Sequence, residues 1–184
     1  KMFAIVILIG GKGTRVSKLL KNNSKPEIEI NKKKIIDYQI KQLKNLKKKI
    51  IFLSNTKFSS LNKHLEKKLK NRNYQIFEEK KPLGTAGCLK KLENLNYSFF
   101  LIIDGDLIFN INFKKLINFH IKKNSICTLL VHPNNHPYDS DCIDVNNDQS
   151  IKKFFFKPHS KKIINNLCMS GIKVVNNDFL RIIK

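Results

Sequence analysis

The 184-residue chain has no tryptophan, three arginines (Arg15, Arg72 and Arg181) and only 14 acidic residues against 36 basic ones, so its formal net charge is +22. The shortage of acid excludes an acidic tail. The shortage of arginine speaks against a nucleic-acid footprint, because bidentate contacts to phosphate and guanine are made by guanidinium groups. The remaining cations are lysines spread over the whole length, as in Lys47-Lys48-Lys49, Lys90-Lys91 and Lys161-Lys162. They rise together with asparagine and isoleucine, and they read as a solvated surface that steers anionic substrates. No apolar run approaches the roughly 18–20 residues that span a bilayer. The run from Phe3 to Ile9 is too short for a leader and has no small-residue cleavage site behind it. The expectation is therefore a cytoplasmic globular protein without nucleic-acid or membrane partners.

Cysteine is sparse as well. Cys88, Cys127, Cys142 and Cys168 lie far apart with no C-x-x-C pair, and they read as reduced, buried thiols. His132 and His136 have metal-like spacing with Cys142 beyond them. Pro133 and Pro137 break the helix that would turn both imidazoles one way, so no zinc site is expected. With five prolines, seven glycines and 41% hydrophobic residues, the chain is neither low-complexity nor disordered. At roughly 150 residues per domain, residues 1–184 read as one domain.

The apolar pattern alternates between two kinds of segment. Ile5–Ile9, Ile50–Leu53, Tyr74–Phe77, Phe99–Ile103 and Ile126–Val131 are short apolar strands. Between them, helical stripes run through Ile35, Ile36, Ile40, Leu43 and Leu46, then Leu61, Leu65 and Leu69, then Leu89 and Leu92, and finally Leu116 to His120. Residues 133–148 read as a loop with an edge strand, and Asp178 as a residue of a helix first turn. This order predicts an α/β fold, an open and mostly parallel sheet with helices on both faces in three α/β/α layers. Ligands of such sheets bind at the carboxyl ends of the strands. Two loops fall there, Gly10 to Arg15 and Asp104 to Asp106.

Gly10-Gly11-Lys12-Gly13-Thr14-Arg15 is the sharpest feature. Its glycines let the backbone approach a ligand and aim N–H groups at phosphate oxygens, while Lys12 and Arg15 add positive charge. It lacks the Gly-Lys-Ser/Thr ending of a Walker loop, and Val16 stands where a dinucleotide fingerprint has its last glycine. Lys25-Pro26, then Glu79-Lys80-Lys81-Pro82-Leu83-Gly84-Thr85-Ala86-Gly87, then Asp104-Gly105-Asp106 follow in order.

Together these four motifs resemble the sugar-1-phosphate nucleotidyltransferases over essentially the whole chain, and the resemblance implies a Rossmann-like nucleotidyltransferase fold. It also implies that a sugar 1-phosphate attacks the α-phosphorus of a nucleoside triphosphate and releases pyrophosphate. Carried over residue by residue, Gly10, Gly11, Lys12, Gly13 and Thr14 would cradle the triphosphate, with Arg15 on the leaving group. Lys25 would stabilise charge on the α-phosphoryl oxygens, Gly84 and Thr85 would flank the base or sugar, and Asp106 would hold Mg²⁺. Phe156-Lys157-Pro158 stands where most of the family has Glu-Lys-Pro. With His132 to Asp141, that segment resembles the branch of heptose and mannose 1-phosphate guanylyltransferases. The resemblance then implies GTP as the favoured nucleotide, Asp139 or Asp141 as acceptor for sugar hydroxyls, Lys157 on the sugar phosphate, and a sugar-phosphate phosphatase as a fused or associated partner. A catalytically silent nucleotide-binding relative and a basic nucleic-acid module remain the alternatives. The family's second metal carboxylate has no counterpart before Lys184, so the expectation is a chain truncated at its C-terminus.

Overall fold

The computed structural model describes residues 2–11, 20, 24–55, 59–70, 73–80, 83–135, 137–158 and 166–183. It divides into two compact units, one of residues 1–128 with 173–184 and one of residues 129–172. Among the described residues no helix is long and apolar enough to cross a membrane.

The first unit is a sheet whose central strands read as uninterrupted apolar runs because both of their faces are covered. Strand β1 (Phe3–Leu8) is followed by a small hairpin of β2 (Glu29–Ile30) and β3 (Lys33–Lys34). Asn31 and Lys32 turn that hairpin with φ of 51° and 60°, the left-handed pair that a two-residue connection needs. Helix α1 (Ile35–Leu43), β4 (Ile50–Asn55), α2 (Ser59–Leu69), β5 (Tyr74–Glu79), the single turn α3 (Gly84–Gly87) and β6 (Phe99–Asp104) follow, then α4 (Phe113–Lys123). The strand order is β5-β4-β1-β6, and all three of these pairings are parallel. A further strand, which enters the first unit from Lys173, lies beside β6.

Side chains alternate across the strands and separate two apolar layers. On one face Ala4, Val6, Ile51, Leu53, Phe100 and Ile102 pack with Leu89, Leu92 and Leu180. On the opposite face Phe3 stacks on Phe99 with ring centroids 5.1 Å apart, and Phe99 meets His120 of α4 at 5.3 Å. Helical segments thus cover both faces, as the apolar pattern predicts. His120 is buried with both ring nitrogens used, Nδ1 at 2.9 Å from Thr128 Oγ1 and Nε2 at 3.0 Å from Asn176 Oδ1. That is a satisfied core histidine.

In the second unit β8 (Cys142–Val145) lies between β9 (Ile151–Phe155) and β10 (Leu167–Asn176), and both pairings are antiparallel. The earlier strand β7 (Cys127–Pro133) pairs with β10. The expected edge strand of residues 133–148 is therefore an inner one, and the edge is β9. Burial explains the reversal, since Cys142 and Ile143 are sealed while β9 is exposed along most of its length. After β10 the chain closes with α5 (Asn177–Ile182), which carries Asp178 in its first turn as expected.

Candidate functional site

The carboxyl ends of β1 and β6 come together over a cavity of about 580 Å³ lined by Gly10, Gly11, Lys25, Glu79, Gly84, Asp104 and Asp106, among others. The two ends are stitched by backbone. The N–H of Gly105 donates to the carbonyl of Leu8 at 2.9 Å, and on the other side of β1 that of Ile9 donates to the carbonyl of Leu53 in β4 at 2.9 Å. A Cβ at Gly105 would lie 2.7 Å from Leu8 O, 2.8 Å from Ile9 Cγ2 and 3.0 Å from Pro26 Cγ, so only glycine admits this approach. Gly84 has a different reason to be glycine. Its φ of +76° is the left-handed bend that opens α3, and open space surrounds it.

A tight turn at Lys25–Glu27 brings a cation to the same place. Lys25 Nζ donates to Asp106 Oδ2 at 2.7 Å, and each side chain is about one-third exposed. The turn bearing Asp106 is gripped from below by Gln39, a polar residue on the buried stripe of α1. Its Nε2 donates to the carbonyls of Asp104 at 3.0 Å and Leu107 at 2.8 Å. Burial pushes the Asp104 carboxyl above the ordinary aspartate range, and the neighbouring Asp106 adds to the push. Lys173, 3.8 Å from Asp104 Oδ1, and Lys25 oppose it.

Glu79, at the end of β5, lines the same cavity. The residue is 7% exposed, and its Oε2 accepts the N–H of Leu83 at 3.3 Å. Its Oε1 has no hydrogen-bond partner among the described residues, although buried carboxylate oxygens are ordinarily satisfied. The adjacent Cys88 thiol is pushed up to about 11 by burial and by the Glu79 charge, so it stays protonated at neutral pH.

Of the sequence-predicted residues, Gly10, Gly11, Lys25, Gly84 and Asp106 meet at this cavity, and Thr85 follows Gly84 in α3. Lys12, Gly13, Thr14 and Arg15 lie outside the described residues, as does His136. In the second unit Asp139, Asp141 and Lys157 are brought together. The Lys157 backbone N–H donates to Asp141 Oδ1 at 3.1 Å, and its Nζ donates to the Asp139 carbonyl at 3.1 Å. Sequence reading missed Gln39, and it placed Glu79 in a motif without giving it a role. A polar side chain on an otherwise apolar helical stripe is the signal that points to the first. The second is a carboxylate closing a strand just before Pro82-Leu83-Gly84.

A sequence model of the family described as nucleotidyl transferase matches residues 4–184. The chain is 26% identical over 175 residues to the bifunctional protein GlmU of Methanococcus maripaludis, covering 95% of this chain and 40% of that protein. It is 27% identical over 181 residues to the mannose-1-phosphate guanylyltransferase catalytic subunit beta of Drosophila melanogaster, covering 95% of this chain and 48% of that protein. The chain thus spans less than half the length of either relative. A crystal structure from Bacillus anthracis, of a candidate glucose-1-phosphate thymidylyltransferase in complex with a sucrose, has the same fold. Its TM-score is 0.82 at 17% identity, over 97% of this chain and 73% of that one.

The grip of Gln39 yields a stability prediction with a worked sign. Gln39→Leu strands two part-buried carbonyls and should cost about 1–3 kcal/mol in thermal or urea unfolding. Gln39→Glu should cost more at neutral pH, because an acceptor-only carboxylate then faces two acceptors. Its folded pKa is raised above the unfolded value, so this extra cost should shrink as pH falls through the raised pKa, where the new carboxyl gains a proton to donate, and be gone below the ordinary glutamate value of about 4.3. Equal unfolding midpoints for Gln39→Glu and the unaltered protein at pH 7 would remove the clamp.

Proposed function

The chain belongs to the nucleotidyl transferase family, the sugar-1-phosphate nucleotidyltransferases, and on that premise we propose that it moves a nucleotidyl group from a nucleoside triphosphate to a sugar 1-phosphate. In this reading a phosphate oxygen of the sugar 1-phosphate attacks the α-phosphorus in line. The bond from the α-phosphorus to its bridging oxygen breaks, and pyrophosphate leaves with that oxygen. The observation that carries the reading is the Lys25–Asp106 pair, a cation and a carboxylate 2.7 Å apart beside Gly10-Gly11 in one cavity.

The chain's own groups suit the charge changes. Nucleotidyl transfer depends on positioning and on neutralising negative charge, with little covalent work for the protein. The backbone at Gly10 and Gly11 offers close approach to the triphosphate. Lys25 faces the α-phosphoryl oxygens, where charge grows as the new bond forms, and Arg15 takes the pyrophosphate. Mg²⁺ fits the donors present, since Asp106 and Asp104 put carboxylate oxygens on the cavity and hard cations take oxygen ligands. Among the described residues no cluster of three or more His, Cys, Asp or Glu could hold a metal alone, so phosphate and water would complete the shell around Asp106. The ion, when bound, supplies neutralisation of the triphosphate charge. In the second unit Lys157 is proposed to bind the sugar phosphate, and Asp139 and Asp141 to accept from sugar hydroxyls, in a hexose or a heptose.

GTP is the favoured nucleotide, and Glu79 supports it. A carboxylate only accepts, and guanine presents two donors side by side on its Watson–Crick edge, N1–H and N2–H₂. Thymine and uracil present one donor between two acceptors, which would leave a carboxylate facing lone pairs. Guanylyltransferase relatives agree with this preference. Cytoplasmic location and a phosphatase partner belong to the same reading.

Pyrophosphate release from each common triphosphate against a panel of hexose and heptose 1-phosphates tests the function. GTP should give the highest kcat/KM, and the absence of turnover with every pair would reject the reading. With the best pair, Lys25→Ala and Arg15→Ala should each lower kcat by about 10²-fold or more, the typical worth of one well-placed donor to developing charge. Unchanged kcat in either variant would remove that residue from the site. Glu79→Gln should narrow the preference for GTP over UTP by about tenfold or more, the scale of one lost base contact. An unaltered GTP-to-UTP ratio would show that Glu79 does not read the base.

A further inference from the structure

We propose that Glu27 is a positioning residue, whose buried carboxylate holds the turn from Ser24 to Glu27 so that the Lys25 ammonium meets Asp106. The inference rests on the reading of Lys25 and Asp106 given above, and it concerns what places them.

Glu27 is 6% exposed, an unusual site for an ionised side chain unless it is fully partnered. Its partners are all donors. Oε2 accepts from the Ser24 backbone N–H at 2.8 Å and from Ser24 Oγ at 2.9 Å. Oε1 accepts from Ser60 Oγ at 3.0 Å and from Lys34 Nζ at 3.4 Å. One oxygen therefore closes the turn on its own first residue. The other ties that turn to α2 through Ser60 and to β3 through Lys34. Burial pushes the Glu27 carboxyl up, but the bonds from Ser24 and Ser60 and the Lys34 charge outweigh it and hold the group below the ordinary range.

Among the described residues the backbone of the turn has two bonds of its own, Glu27 N–H to Ser24 O at 2.9 Å and Ile28 N–H to Lys25 O at 3.0 Å. Lysine carries a long flexible stem, so the place its ammonium reaches follows from where its Cα is held. An apolar residue of similar size at position 27 would fill the same space. It would leave the Ser24 N–H without its acceptor and cut the ties to α2 and β3. The carboxylate thus serves the cation two residues away, although the two side chains share no bond among the described residues.

Glu27→Gln tests the assignment, because it keeps the shape and sets an NH₂ group against donors. In the ligand-free protein, each lysine's acylation by a limiting amine-reactive ester is read by peptide mass spectrometry, with Asp106→Asn as the control that frees Lys25. Lys25 labelling should rise about threefold or more in both variants, while Lys173, paired with Asp104, labels at its original rate. Unchanged Lys25 labelling in Glu27→Gln beside a rise in Asp106→Asn would overturn the proposal. So would an equal rise at Lys25 and Lys173, the mark of general loosening. On turnover, Glu27→Gln should lower kcat about tenfold in the unaltered protein and have no further effect in Lys25→Ala. The same factor in both backgrounds would also overturn it. Should no substrate pair turn over, the function fails and the labelling still decides Glu27. If Glu27→Gln does not fold, Ser60→Ala removes a single donor and should give a smaller rise in Lys25 labelling, with no rise counting against the proposal.

Discussion

Two opposite charges 81 positions apart in sequence meet at 2.7 Å, and the arrangement of the cavity turns on that contact. Lys25 and Asp106 sit on separate turns, each too short to fix its own geometry. The parallel pairing of β1 with β6 brings the two turns to one edge, and the absent Cβ at Gly105 lets them close. Gln39 and Glu27 then fix the turns from below. The pair is about one-third exposed, so its worth to folding is modest. On the proposed function its chemical consequence is larger, because the charge that would favour a phosphate and the charge that would favour a cation neutralise each other until both ligands arrive.

The sheet was legible wherever a strand is buried on both faces. Phe3–Leu8 and residues 99–103 are unbroken apolar runs for that reason, and the parallel order followed from the helices between them. The strands of the second unit hid their character. Ile151–Phe155 is mostly exposed and contains Lys152 and Lys153, while Leu167–Asn176 carries Ser170, Gly171 and Lys173, which blur any alternation. The hairpin of Glu29–Ile30 and Lys33–Lys34 is too short and polar to leave a pattern.

Among the residues that meet at the cavity, glycines and charges in recognisable motifs were legible, and single polar groups that act from behind were not. Gln39 looks like an ordinary interruption of a stripe, and only the structure shows its amide under Asp104 and Leu107. Ser24 and Glu27 do carry a signal, the Ser-x-x-Glu spacing of a capping box, which the lysine and proline between them overshadow. Glu79 stands at the head of a legible motif but had no role there, because its distinction is an unpartnered oxygen and a sequence does not show hydrogen bonds.

If Lys25 and Asp106 are the phosphate and cation halves of one site, each ligand must displace a partner from the other. Calorimetric binding of GTP with and without Mg²⁺, on the unaltered protein and on Asp106→Asn, tests this most directly. The account predicts that Mg²⁺ tightens GTP binding to the unaltered protein by about tenfold or more, a coupling of ordinary size. In Asp106→Asn most of that gain should vanish, while metal-free GTP binds at least as tightly as before because Lys25 is released. Full Mg²⁺ enhancement in Asp106→Asn, with weaker metal-free binding, would contradict it.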